Sequence, residues 1–356
     1  MTSSVRSVGE LPVPEFYDSA NASRWGYAPD QEALLRRAAE WREAYGIGPS
    51  AEDSVRVHLV LIDLQKDFCF PEGTLFVGGR SGRGALDDND RTARFIYRNL
   101  ASLTEITCTL DTHYPLQIFS PSFWLDENGA VPPAHTEVTV EDLRSGRLRP
   151  NPAVARWVAG GDEEWLRRQV EYYCEELERG GRYTLYLWPP HCLAGSDGHA
   201  LVGVIHEARL FHSYVRFSPA RVAAKGEDAL TEFYSAIRPE VATTFEGDPL
   251  AAPNTAFLEE LGEADALILA GQAASHCVRS TVDDLLSLRD KRPLGKIYLL
   301  TDCMTSIAVP DPERPGEFLV DFTPEAETAF ERAAAAGIHL VKSTTPLEEW
   351  PDFPLA

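Results

Sequence analysis

The sequence predicts an α/β protein with a doubly wound, three-layer α/β/α architecture around a central, mostly parallel sheet. Three observations lead there. Short apolar runs recur at 58–63, 106–111, 266–270 and 297–302, and such runs suit strands buried at the centre of a parallel sheet. Stretches with apolar residues at helical spacing lie between them, at 90–103, 199–208, 282–288 and 324–336, so β and α units alternate. Three of the runs close on a carboxylate, at Asp63, Asp111 and Asp302, and functional groups in such sheets gather at the carboxyl ends of the strands.

Taken in order, residues 1–55 read as an N-terminal extension, a Pro- and Ser-containing arm followed by a helix over 30–45. Leu34, Leu35, Ala38 and Trp41 stand there at helical spacing, and the helix is expected to pack on the main domain or on a neighbouring subunit. The main domain is read over 56–346. His58-Leu59-Val60-Leu61-Ile62-Asp63 is its first strand and 106–111 its second. Between His113 and Trp188 no strand character is visible; Asn128-Gly129, Pro132-Pro133 and an acidic amphipathic helix over 162–178 occupy the interval. A connection that long inside a compact domain is usually a lid or a subunit contact, so about 120–185 is read as an insertion. Residues 210–216 are read as a further strand, 339–342 as the last, and 347–356 as a C-terminal tail. There is no internal repeat and no low-complexity tract.

Composition excludes several function classes. The chain has 356 residues, 33 Lys and Arg against 55 Asp and Glu, and a formal net charge of −22. Nucleic-acid binding needs clustered cations to neutralise phosphate, and none appear. An anionic membrane surface is disfavoured for the same reason. The chain has no signal-peptide pattern and no apolar run approaching ~18 residues, so a soluble, cytoplasmic protein is expected. Six cysteines without Cys-x-x-Cys spacing argue for reduced thiols. Lysine is rare, and Lys225 is the only one between Lys66 and Lys291.

The stretch Gly271-Gln272-Ala273-Ala274-Ser275-His276-Cys277-Val278 follows the run at 266–270 and precedes a helical pattern. It reads as strand, small-residue turn and helix start with one thiol at the turn. Unpaired N–H groups at a helix start favour thiolate over thiol and can hold a developing oxyanion; a small, buried core cysteine is the competing reading. Asp63, ending a central strand, is either a turn residue or a general base and acid for a nearby thiol. Asp111-Thr112-His113 and Trp188-Pro189-Pro190-His191-Cys192 together offer two imidazoles and a carboxylate, the donor set of zinc, iron or manganese. Taken singly, each histidine is as readily a structural hydrogen-bonder. Lys225 is either a solvated surface lysine or a buried cation.

Together these segments resemble the isochorismatase-like cysteine hydrolase superfamily, and most of all its nicotinamidase (pyrazinamidase) branch. The resemblance rests on the Asp63 strand with Gln65, Asp67 and Phe68, on Asp111-Thr112-His113, on Trp188 to Cys192, on Lys225-Gly226 with Tyr234-Ser235, and on Gly271 to Thr281, in that order. It covers about 56–345 apart from the enlarged middle segment. It implies the isochorismatase-like hydrolase fold, with Asp63, Lys225 and Cys277 as catalytic triad. Asp111, His113 and His191 would hold a divalent metal, zinc first and iron or manganese otherwise. The backbone N–H groups of Ala273 and Cys277 would form the oxyanion hole, with a cis Gln272–Ala273 peptide. Phe68 and Trp188 would sandwich a flat ring.

The implied activity is hydrolysis of a small, nicotinamide-like amide to acid and ammonia through a Cys277 thioester. N-carbamoyl or ureido compounds, and a catalytically idle binding protein on the same scaffold, are the alternatives. The partner is a small-molecule amide, with neither nucleic acid nor membrane, and a homo-oligomer is compatible with the arm and the acidic surface. One departure stands out: where nicotinamidases often carry a further histidine, this chain has Gln117, so water or another side chain is expected to complete the metal site.

Overall fold

Six parallel strands form the centre: β1 (Val57–Ile62), β2 (Glu105–Asp111), β3 (Ala220–Lys225), β4 (Ala266–Gly271), β5 (Ile297–Leu300) and β6 (His339–Val341). The computed structural model describes residues 9–181, 183–288 and 294–355. The first eight residues of the predicted arm and the last of the predicted tail therefore lie outside the described residues. The strand order is β6-β5-β4-β1-β2-β3, with every pairing parallel. The chain builds outward from β1 in one direction, then returns to lay β4 on the other side of β1. A doubly wound sheet opens a crevice where this reversal occurs, beyond the carboxyl ends of β1 and β4.

Among the described residues, seven helices of nine residues or more flank or extend this sheet: α1 (Gln31–Tyr45), α2 (Gly84–Arg98), α3 (Glu163–Gly180), α4 (Gly203–Arg216), α5 (Thr255–Glu263), α6 (Arg279–Ser287) and α7 (Thr323–Ala335). On β1, Leu59 and Leu61 face one apolar cluster with Leu34, Phe95 and Phe211 from α1, α2 and α4. Val60 and Ile62 face the other, with Phe257, Val282 and Phe330 from α5, α6 and α7. Both faces of β1 are therefore dry, which is why its sequence is apolar without alternation. Each of these strand side chains contributes about 1.5–3 kcal/mol by its removal from water.

The extension joins the first of these layers. Asp30 caps α1 by accepting from Ala33 N, and Gly46, at φ 62°, ends it. Trp41 meets Phe211 edge-on at 5.9 Å. Arg216, at the end of α4, holds Asp53 through two 2.5 Å bonds and donates to Gly48 O.

Three expectations need correction. Residues 210–216 are the second half of α4, not a strand; Val204, Ala208, Phe211 and Val215 are its buried stripe, and neighbouring Leu210 and Tyr214 blurred the helical period. The strand that does follow is β3, an edge strand whose Val222 is 46% exposed, and it tolerates a composition that does not read as a central strand. The helix expected over 199–208 begins only at Gly203, after a single turn at Asp197–His199.

The interval from His113 to Trp188 also holds short strands: Trp124–Asp126 pairs with Leu148–Pro150, and Glu137–Val138 with Leu185–Tyr186. Two or three residues are too few for a period to register in sequence. With α3 they enclose a third apolar cluster around Trp124, Tyr173 and Leu185, which also takes in Trp188 and Leu230. Among the described residues no helix is long and apolar enough to cross a membrane.

Candidate active site

The crevice between β1 and β4 collects the polar residues that end the strands. Gly271 closes β4 at φ 127°, and a Cβ there would lie 2.0 Å from Ile62 O; only glycine lets the two strand ends come this close. Asp63 follows β1 with φ 48°, and its carboxyl is entirely buried. Thr109 on β2 donates its hydroxyl to Asp63 Oδ1 at 2.6 Å. Lys225 ends β3, and its ammonium reaches Asp63 Oδ2 at 2.9 Å, Asp111 Oδ1 at 3.0 Å, Phe233 O at 2.9 Å and Cys277 Sγ at 3.6 Å. A buried lysine is tolerable only when paired in this way.

Cys277 sits in a single wide turn, Ala274–Val278, with i to i+5 bonding, that leads into α6. The expected direct helix start is replaced by this turn, a form that recurs at functional sites. The Gln272–Ala273 peptide before it is cis. His276 and Val278 both donate to Ala273 O, while Ala273 N–H meets no acceptor among the described residues. The sequence favoured a thiol of lowered pKa; the surroundings push it well up. Burial is the first cause, and the Asp63 and Asp111 carboxylates add to it against the opposing Lys225 charge. Burial likewise raises Asp63 against the pull of Lys225. Two carboxylates around one ammonium therefore leave the sulfur a thiol until a partner takes its proton.

Asp111, His113 and His191 bring one donor atom each to within 4.8 Å of one another, all buried. Asp111 Oδ2 lies 2.9 Å from His113 Nε2 and 3.7 Å from His191 Nε2. Each imidazole has its other nitrogen on a backbone carbonyl, His113 Nδ1 at 3.2 Å from Gly226 O and His191 Nδ1 at 2.8 Å from Pro189 O. Those contacts place the proton on Nδ1 and leave Nε2 lone pairs facing the shared space, the arrangement typical of metal-ligating histidines. The donor set therefore fits a divalent cation with three protein ligands and an open position. Gly226 matters too: at φ 82°, its Cβ would stand 2.8 Å from both Asp111 Oδ1 and His113 Cε1. Gln117 does not join. Its amide donates to Gly226 O at 2.6 Å and Asp228 O at 2.7 Å and accepts from Tyr114 N.

One cleft runs past both Cys277 and the Asp111, His113 and His191 group. Phe68, Trp188, Leu75, Val77, Phe119 and Ile307 supply its apolar walls, so the two aromatics singled out from sequence both face it. The structure thus brings every sequence-selected site residue to one crevice.

It adds three residues that sequence reasoning gave no role. Glu232, also lining the cleft, accepts from Tyr234 OH at 2.7 Å and from Tyr173 OH of α3 at 3.3 Å, and Trp188 Nε1 donates to Tyr234 OH at 2.9 Å. Burial, reinforced by Glu240, raises Glu232 to about 8, against the donated hydrogen bonds. His276 is held neutral, its pKa lowered to about 4 by burial and by Arg279, among Trp188, Tyr234, Tyr183 and Phe322. Asp88 lies behind the Cys277 turn. His276 adjoins the nucleophile in sequence and carried that much signal. A lone Glu or Asp carries none.

No protein-family model matches the chain, and no curated protein does. Solved structures do. A yeast nicotinamidase bound to the inhibitor nicotinaldehyde is 17% identical with a TM-score of 0.49, over 80% of this chain and 99% of that one. An Acinetobacter baumanii nicotinamidase/pyrazinamidase is 15% identical at TM-score 0.48, over 82% and 99%. A Pyrococcus horikoshii pyrazinamidase in complex with zinc is 20% identical at TM-score 0.40, over 81% and 99%.

Proposed function

We propose that this chain is a cysteine amidohydrolase that converts a small, flat, nicotinamide-like amide to its acid and ammonia. The observation that carries the reading is the Lys225 ammonium, set between the Asp63 carboxylate at 2.9 Å and the Cys277 sulfur at 3.6 Å, with Cys277 lining a largely apolar cleft. A base, a cation and a nucleophile have little structural reason to share a buried spot, because each costs desolvation.

In this reading the amide lies between Phe68 and Trp188 with its carbonyl carbon over Cys277. Asp63 accepts the thiol proton as sulfur bonds to that carbon, and the negative charge moves to the carbonyl oxygen. The N–H groups of Ala273 and Cys277 receive that oxyanion. Collapse breaks the C–N bond, and protonated Asp63 returns its proton to the departing nitrogen, releasing ammonia. Asp63 then takes a proton from water, whose oxygen attacks the thioester carbon. The acid leaves and the proton returns to sulfur. Lys225 stays charged throughout, orienting Asp63 and lowering the cost of the thiolate. Asp111, His113 and His191 would hold a divalent cation, zinc first by donor set, whose Lewis acidity would fix a ring nitrogen or a water beside the cleft. The insertion over about 120–185 sets the substrate, because Tyr173 and Tyr183 brace the residues that wall the cleft.

The test is ammonia release from nicotinamide, pyrazinamide, an N-carbamoyl amino acid and biuret, by the wild type and by Cys277→Ala, with and without chelator. Release from the aromatic amides, lost in the variant and on chelation, is expected. Release from the carbamoyl compounds alone would move the substrate class; release by Cys277→Ala equal to wild type would end the thioester mechanism.

A further inference from the structure

We propose that Asp88, on α2, is a positioning residue for the Cys277 turn, holding from behind the peptide segment whose N–H groups face the cleft. The residue is 1% exposed and lies outside the cleft lining. Its Oδ2 accepts from Gln272 Nε2 at 2.7 Å and from Thr305 Oγ1 at 2.6 Å, and its Oδ1 from Arg91 Nη2 at 2.6 Å. Thr305 N donates to Gln272 Oε1 at 3.2 Å, and Thr305 O accepts from Ala274 N at 2.8 Å. Gln272 N is itself tied to Ile62 O at 2.8 Å. Both neighbours of Ala273 are thus fixed by one carboxylate and the threonine it holds, while Ala273 N–H meets no acceptor among the described residues.

That division has a chemical consequence. An oxyanion donor acts only if it is fixed before the charge develops, because reorienting it during reaction forfeits the gain. Asp88 also links this turn to the neighbouring strand end: Arg91, which it holds and which lies one turn along α2, donates to Asp302 O after β5. The carboxylate is therefore the common anchor of three segments, α2, the turn after β4 and the loop after β5. It never needs to touch a substrate.

The inference rests on the cysteine-hydrolase reading for its turnover readout, and a thiol readout stands apart from that reading. Asp88→Ala removes every acceptor. Its kcat per titratable Cys277 thiol is expected to fall ~10- to 100-fold with KM within about 2-fold, since the loss of one such donor costs up to 10²–10³. Asp88→Asn keeps an acceptor oxygen for Gln272 and Thr305 and is expected to restore kcat to within about 3-fold. Thr305→Val, which removes one hydroxyl and preserves shape, serves if Asp88→Ala does not fold, with an expected loss of about 3- to 10-fold. A residue that only supports folding would lower yield and Tm and leave kcat per titrated site unchanged, and that result overturns the proposal. If the wild type turns over none of the amides, the rate of Cys277 carbamidomethylation at pH 8 decides: at least a 3-fold change in Asp88→Ala, reversed in Asp88→Asn, supports positioning, and equal rates refute it.

Discussion

Replacing Glu232 by glutamine should change how stability depends on pH. The Glu232 carboxyl is fully enclosed, bonded to Tyr234 and Tyr173 with Glu240 nearby, and its pKa is raised from 4.5 to about 8. In the unfolded chain it titrates near its ordinary value. Between those two values the native state holds a proton that the unfolded state has released, so stability from this group falls with rising pH. It is fully present below about 4.5, where both states are protonated, and is lost by about 8. At 1.36 kcal/mol per unit, the loss between pH 5 and pH 7 is about 3 kcal/mol. Glutamine keeps the shape and an acceptor for Tyr234 without a titrating proton. Urea unfolding followed by far-ultraviolet circular dichroism at pH 5, 6, 7, 8 and 9 checks this. The stability of Glu232→Gln relative to wild type should climb by about 3 kcal/mol from pH 5 to 7 and level off near pH 8. A difference that stays constant across that range would refute the reasoning, because it would mean that the buried carboxyl does not hold its proton.

The other expectations follow from geometry. Lys225→Met leaves Asp63 and Asp111 facing each other without a cation, so a destabilisation of about 3–5 kcal/mol is expected in urea titrations; turnover per folded molecule should fall at least ~10³-fold, and preserved turnover would remove Lys225 from the mechanism. His191→Ala takes one of three donors, and zinc binding measured by equilibrium dialysis should weaken at least ~10²-fold, while unchanged affinity would place the metal elsewhere. Arg216→Ala abandons Asp53 and Gly48 O at the root of the extension. It should cost about 3 kcal/mol and open residues around 30–53 to early proteolysis; a cost below about 0.5 kcal/mol would show that this pair is solvated.

Legibility in the sequence followed burial. β1, β2 and β4 are dry on both faces, and their apolar runs announce them. β3 is an edge, and the residues Ala220 to Lys225 carry no comparable signal; the apolar residues of α4 just before it drew the strand reading instead. The candidate site residues could be picked out because each closes a strand or opens a turn, where chemistry collects in this architecture. Glu232 and Asp88 were not readable, since a buried carboxylate is spelled with the same letter as a solvated one and only the surrounding tyrosines or donors tell them apart. The direction of the Cys277 shift was hidden for a related reason. A sequence shows the turn that favours thiolate but not how many carboxylates gather around the sulfur.

The place of β4 next to β1 has a consequence for synthesis. The two strands pair residue for residue from Val57 with Ala266 to Ile62 with Gly271, roughly 200 residues apart. Closing a loop of that size costs about 5 kcal/mol of chain entropy, and nothing repays it until β4 has left the ribosome. β1 and β2 can pair much earlier, leaving one flank of β1 bare for many seconds at ordinary elongation rates. The thiol and its carboxylate partner therefore meet only after the roughly 200 residues between them have been made. A nascent chain carries an exposed strand edge throughout that interval, and expression yield should respond to chaperone supply more than to the stability of the finished fold.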